Sequence, residues 1–225
     1  MTGIQLSREQ AGSGKTILGV SPVDISGQPT RIIGAAQDGL LYLFDPWTGA
    51  EVGDPLRGHG TTINVVTVVR RPRSGDVVVS GDEMGVVRRW DSHVGDWVGD
   101  PFRAEEEIIS LCPASEAIAN SPVVAAADAA GDVHFWDVTT GEKAGRTLST
   151  GHSVRDMALV ALGARLGVVI SDDDGVIRCW DTHTGDFCGT VAEGTSLAAT
   201  SVNGETLLAI GSDDGQISLG ALSWV

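Results

Sequence analysis

Basic residues are scarce in this chain. Fifteen lysines and arginines face 30 aspartates and glutamates, for a net charge of −15. A protein that binds duplexes by neutralising phosphates is normally basic. Nucleic acid and anionic membrane are therefore poor partners for the surface as a whole. Cysteine is rare too: Cys112, Cys179 and Cys188 give no disulfide framework of the secreted kind. A reducing, cytoplasmic setting is expected. Aromatics make up 5% of the chain, with one tyrosine against six tryptophans. No run of about 18 apolar residues is present, which excludes a transmembrane helix. Residues 1–10 contain no apolar stretch of the kind a signal peptide needs. With 42% hydrophobic and 20% charged residues, general disorder is excluded.

Glycine is the residue in excess. There are 30 in 225 residues, about twice average usage. That argues against a helical bundle and for many short strands joined by turns. The length is enough for one well-buried domain, 1–225, without a structural disulfide or metal.

The chain repeats itself. Gly85-Val-Val-Arg-Arg-Trp90-Asp91, Gly131-Asp-Val-His-Phe-Trp136-Asp137 and Gly175-Val-Ile-Arg-Cys-Trp180-Asp181 align. Gly39-Leu-Leu-Tyr-Leu-Phe44-Asp45 replaces tryptophan with phenylalanine, and Gly215-Gln-Ile-Ser-Leu-Gly220-Ala221 has lost both signature residues. The leading glycines are spaced 46, 46, 44 and 40 residues apart. A second marker follows each Asp: Thr48-Gly49, Val94-Gly95, Thr140-Gly141 and Thr184-Gly185. A third, Gly58-His59 and Gly151-His152, follows in register. A fixed period of this size marks a repeat architecture.

Within one repeat, Ile63–Val69, residues 77–79 and residues 86–90 are apolar or β-branched runs. Residues 71–75, 81–85 and 91–95 between them are turn chemistry. Each repeat thus reads as four antiparallel strands, the last short and polar. The inner strands are apolar on both faces, so each sheet must stack on its neighbours around a ring.

The Gly-His…Trp-Asp signature at this period resembles the WD40 repeat, and the resemblance covers the whole chain. The wording Trp-Asp-x-x-Thr-Gly, followed by Gly-Asp-Pro-Leu and Gly-His, is similar to bacterial repeats of that family, which are often attached to signalling or NTPase modules. It implies an all-β propeller of four-stranded blades. Five repeats stand where seven are usual. Residues 3–6 lie at the repeat phase of the outer strand missing from the last repeat, so a five-bladed ring closed by the N-terminal strand is expected, and with it a monomer. The resemblance also implies a hydrogen-bonded Asp–His–Ser/Thr–Trp set in each blade, its Asp six residues before the Trp. Asp174, His152 and Trp180 fit one blade, with Ile170 at the hydroxyl position. His59, Ser80 and Trp90 fit another, with Met84 at the Asp position. In a third, Ala130 and Ala126 replace both. No blade carries the whole set by this count. The signature residues Asp91, Asp137 and Asp181 complete the structural pattern.

Chemical motifs carry less. Residues 11–16, Ala-Gly-Ser-Gly-Lys-Thr, resemble the end of a phosphate loop, but Glu9 stands where its first glycine belongs. They read as a loop entering the innermost strand. Residues 171–175 and 212–215 are Asp-rich, but the position of the twelfth calcium-loop ligand is His183. They read as turns. The five histidines, His59, His93, His134, His152 and His183, show no metal spacing. Cys179 and Cys188 flank the 182–185 turn, close enough for a bridge, though thiols are expected. The innermost strands, residues 16–21, 63–69, 108–112, 154–160 and 197–201, hold one acid, Asp156. A carboxylate pair over the channel is missing there. No cofactor, metal or catalytic residue is expected.

What remains is surface. The turns before each third strand share a face with the loops between blades. They hold Asp38, Asp82, Glu83, Asp128, Asp172, Asp173, Asp174, Asp213 and Asp214, and the 105–107 loop adds Glu105, Glu106 and Glu107. The opposite face carries Arg70, Arg71 and Arg73, with Trp47 and Trp97 nearby. An acidic rim around a channel mouth steers basic partners. The expected function is a non-catalytic scaffold binding a protein or basic peptide segment. The alternative is a lectin-like propeller binding carbohydrate or another small ligand, against which the poor repetition of Trp47, Trp97 and Phe187 counts.

Overall fold

A computed structural model describes residues 15–24, 29–71, 75–91, 96–114, 122–163, 165–202 and 205–222. Its regular structure is entirely antiparallel sheet. The first blade runs Ile17–Val23 (β1), Arg31–Ala36 (β2), Leu40–Phe44 (β3) and Leu56–Arg57 (β4). The second is Ile63–Val69 (β5), Val77–Asp82 (β6), Val86–Asp91 (β7) and Phe102–Arg103 (β8). The third is Ile108–Ala114 (β9), Val123–Asp128 (β10), Asp132–Asp137 (β11) and Leu148–Ser149 (β12). The fourth is Val154–Leu162 (β13), Arg165–Asp172 (β14), Val176–Asp181 (β15) and Phe187–Glu193 (β16). The fifth, Ser196–Val202 (β17), Glu205–Gly211 (β18) and Ile217–Leu222 (β19), has three strands among the described residues. Strands pair in chain order within every blade. This is the β-propeller that the repeat requires.

Period-two alternation explains why the second strands carry apolar residues on both faces. Val77 and Val79 point into the core shared with the third blade, and Val78 into the core shared with the first. Four such cores lie between consecutive blades, one per junction. Close approach selects glycine at the same junctions: a Cβ on Gly81 would sit 2.5 Å from Ile108 Cγ2 of the next blade. The innermost strands pack in sequence, β1 on β5, β5 on β9, β9 on β13 and β13 on β17. β17 and β1 do not pack on each other in this way. Residues 3–6, expected to close the ring, lie outside the described residues.

The turn after the third strand of blades one, three and four is built by the signature aspartate. Asp45 Oδ1 accepts the Trp47 and Thr48 N–H groups, Asp137 Oδ1 those of Thr139 and Thr140, and Asp181 Oδ1 those of His183 and Thr184. The turn closes on Gly49, Gly141 or Gly185, all at positive φ, where glycine carries no steric penalty. Asp91 begins the corresponding connection in the second blade, whose residues 92–95 lie outside the described set.

Candidate functional site

The turns joining second to third strands and the loops joining blades do share a face, and backbone hydrogen bonds weld them together. Gln37 N donates to Thr16 O, Glu83 N to Thr62 O, Ala129 N to Glu107 O and Asp173 N to Ser153 O, all at 3.0–3.1 Å. The turn glycines add the next link: Ala104 N donates to Gly85 O, Thr150 N to Gly131 O and Gly194 N to Gly175 O. Each loop therefore bridges two blades. Gly85 shows how tight the fit is: its φ is +73°, and a Cβ there would lie 2.7 Å from both Ala104 O and Glu106 O.

Nine of the sequence-predicted carboxylates are exposed on this face: Asp38, Glu83, Glu105, Glu106, Glu107, Asp173, Asp174, Asp213 and Asp214. Some are already partly anchored. Glu83 bonds Thr61 Oγ1 and accepts from Thr62 N, and the Thr61 hydroxyl leads in holding its carboxyl below the ordinary range. Ser212 and the Gln216 N–H do the same for Asp214. Asn64 Nδ2 donates to Glu107 Oε2 at 3.4 Å, and Tyr42 donates to Asp38 at 2.7 Å. These polar neighbours of the rim were not singled out in the sequence.

Asp82 and Asp172, expected to face a partner, are instead buried at 2% exposure, and Asp128 at 1%. They begin the turn and cap it from inside. Asp82 Oδ1 accepts from Met84 and Val86 N–H, Asp128 Oδ1 from Ala130 and Asp132, and Asp172 Oδ1 from Asp174 and Val176. Their second oxygens meet a different cation or hydrogen-bond donor in each blade: His59, His134 and Arg178 respectively. They belong to the scaffold of the face and offer nothing to a ligand.

The same aspartates revise the expected hydrogen-bonded sets. In the second blade the set is complete, with Asp82 as its acid, eight residues before Trp90. Trp90 Nε1 donates to Ser80 Oγ at 2.8 Å, Ser80 Oγ meets His59 Nε2 at 2.7 Å, and His59 Nδ1 meets Asp82 Oδ2 at 2.7 Å. Burial pushes the Asp82 carboxyl up, but the His59 hydrogen bond and the two backbone N–H groups outweigh it and leave the group below its ordinary value. In the third blade His134, from within β11, bonds Asp128 at 3.0 Å and stacks on Trp136. In the fourth, His152 does not connect to Trp180. It is one-third exposed and meets Asp174 at 3.2 Å and Asp173 at 3.8 Å. Ser171 there bonds Gly194 O across the blade junction.

His152, Asp173 and Asp174 are the one trio of metal-type ligand groups among the described residues. Asp174 also lies 4.0 Å from Arg178, so the cluster is a surface ion-pair network. Lys15, from the phosphate-loop-like stretch, sits 3.6 Å over the Tyr42 ring and 3.5 Å from Glu51. Asp156, the one acid on an innermost strand, is occupied in structure: its Oδ2 accepts the Leu197 N–H at 2.8 Å, tying blade four to blade five. On the opposite face Arg70 pairs with Asp24 and Asp76. The aromatics weighed for a lectin site lean on the scaffold. Trp97 meets Trp90 edge-on and Arg88, and Phe187 meets Trp180 edge-on; Trp47 alone stands free at 88% exposure.

No family model and no curated protein matches this sequence. Among solved structures it is similar to two crystal structures of BBS1N in complex with ARL6DN, one soaked with mercury and one with lead. The first aligns with a TM-score of 0.71 at 14% identity, over 94% of this chain and 67% of that one. The second gives 0.69 at 16%, over 97% and 66%. The chain thus spans about two thirds of the length of these neighbours. At this identity the likeness carries the fold.

Proposed function

We propose that this chain is a WD-repeat propeller that works as a protein-interaction scaffold and performs no chemistry, with the acidic face as its docking surface. The observation that carries this reading is the collection of nine exposed carboxylates on one welded face, contributed by the turns of blades one, two, four and five and by the 105–107 loop. Such a rim concentrates negative potential and speeds capture of a basic segment. Support for a protein partner comes from the neighbours, whose propeller was crystallised with a protein bound. The repeated Trp-Asp and Thr-Gly turns and the complete Asp82–His59–Ser80–Trp90 set support the WD-repeat assignment. A cytoplasmic site is proposed on the same footing, supported by three free thiols.

The test is titration of a lysine- and arginine-rich peptide into the chain and into a variant carrying Glu105→Lys, Glu106→Lys, Glu107→Lys, Asp173→Lys and Asp174→Lys. Affinity that falls at least tenfold in the variant and weakens with salt supports the proposal. Equal affinity for both proteins overturns it.

A further inference from the structure

Blade four carries two thiols on one hairpin, and the repeat sets them beside each other. In the first three blades the residue before the signature Phe-Asp or Trp-Asp pair is held by the returning segment. Val52 N donates to Leu43 O at 2.8 Å, Val98 N to Arg89 O at 2.8 Å and Ala144 N to Phe135 O at 2.9 Å. Each link joins the residue two before the signature Asp to the residue seven after it. In blade four those two positions are Cys179 and Cys188.

Strand register agrees. Between β15 and β16, Cys179 faces Gly189 and Trp180 faces Phe187, so Cys188 is the extra residue of a bulge next to the position that faces Cys179. Facing Cα atoms on antiparallel strands stand about 4.5–5.5 Å apart. A disulfide joins Cα atoms about 4.4–6.8 Å apart. The two thiols are unequal. Cys188 is exposed, while Cys179 is buried in the core between blades four and five. Burial first, and then the neighbouring Cys188 thiol, push Cys179 up to about 12, which keeps it from reacting with solvent oxidants itself. The third thiol, Cys112, is engaged elsewhere: its Sγ accepts the Leu159 N–H at 3.3 Å, between blades three and four.

We propose that Cys179 and Cys188 form a redox modification site, oxidised to a disulfide by peroxides and returned to thiols by a thiol reductant. Cys188 sulfur attacks one peroxide oxygen and the O–O bond breaks. Cys188 becomes a sulfenic acid, and the other oxygen leaves as water with the Cys188 thiol proton. Cys179 sulfur then attacks Cys188 sulfur and the S–O bond breaks. The departing hydroxide takes the Cys179 proton and leaves as a second water. Two thiols give up two electrons, and one peroxide accepts them. The bond ties the exposed strand β16 to β15. Such a bridge is transient in a reducing compartment. It lies outside the acidic face, so it stands independently of what that face binds.

The experiment treats the folded chain with hydrogen peroxide, alkylates the remaining thiols after denaturation and maps the products by mass spectrometry. The untreated chain carries three alkylated cysteines. The expected oxidised chain carries one, on Cys112, together with a peptide that links Cys179 to Cys188 within one chain. Dithiothreitol restores all three. Cys188→Ser, at an exposed position, leaves Cys179 alkylatable after peroxide. Cys112→Ser leaves the linked peptide unchanged. Peroxide that carries Cys188 on to sulfinic acid while Cys179 stays a thiol overturns the proposal. So does a link that involves Cys112, a link between two chains, or three alkylated cysteines after a dose that fully oxidises free cysteine.

Discussion

Replacing Ser80 by alanine isolates the hydrogen-bonded set of blade two. The hydroxyl is fully buried and serves two partners, accepting from Trp90 Nε1 at 2.8 Å and meeting His59 Nε2 at 2.7 Å. The substitution removes one small atom, so cavity formation contributes little. It strands a buried indole N–H and a buried imidazole nitrogen. Each stranded group costs about 1–3 kcal/mol, and with partial relaxation the pair costs about 2–4 kcal/mol. For a domain of this size that lowers Tm by about 4–16 °C. Urea unfolding followed by tryptophan fluorescence measures the loss. A Trp90→Phe variant and the double variant complete a cycle whose coupling separates the hydrogen bond from packing. A cost below about 0.5 kcal/mol, the range of ordinary surface changes, refutes the argument that this set holds the blade together.

Acidification should destabilise the wild type through Asp82. Its carboxyl sits below the ordinary value in the fold, so the stability it supplies is present above about pH 4 and is lost as pH falls through the lowered pKa. Asp82→Asn should flatten that part of the urea-midpoint profile against pH, and an unchanged profile would contradict the assignment. Gly81→Ala drives a methyl into Ile108 of the next blade and should cost about 1–3 kcal/mol, measured by the same unfolding. Thiol labelling at pH 8 should modify Cys188 and spare the other two. Burial pushes both Cys112 and Cys179 up to about 12, leaving almost no thiolate, whereas Cys188 is exposed. Three thiols reacting at one rate would refute this.

The strands were legible because the signal is short-range. An apolar run such as Val77–Val78–Val79, bounded by Arg-Pro-Arg-Ser-Gly and Gly-Asp-Glu-Met-Gly, admits few readings once it recurs at a fixed period. The innermost strands fell within two residues of their expected bounds at either end, and the shared face of turns and loops followed from strand direction alone. The polar sets were less legible. Counting six residues back from tryptophan lands on the middle of the turn, at Met84 or Asp174. The structure uses the residue that opens the turn, because only there can a carboxylate cap two N–H groups and still point inward. The recurrence of Asp82, Asp128 and Asp172 eight residues before tryptophan was the available signal. It also marks these as buried members of the scaffold, so the acidic rim is smaller than composition suggests. His134 was hidden because its donor comes from within the third strand, where no repeat marker points. How β17 and β1 sit depends on curvature summed over four junctions, which residue pattern does not encode.

The central claim is that a basic partner meets the acidic face. The most direct measurement is zero-length carbodiimide cross-linking of a lysine-rich peptide to the chain, with the linked carboxylates located by mass spectrometry. The account requires attachment at Glu105, Glu106, Glu107, Asp173, Asp174, Asp213 and Asp214, suppressed by salt. Attachment spread equally over Asp54, Asp96, Asp100, Glu142 and Asp186, exposed carboxylates in the connections that follow the third strands, would contradict it.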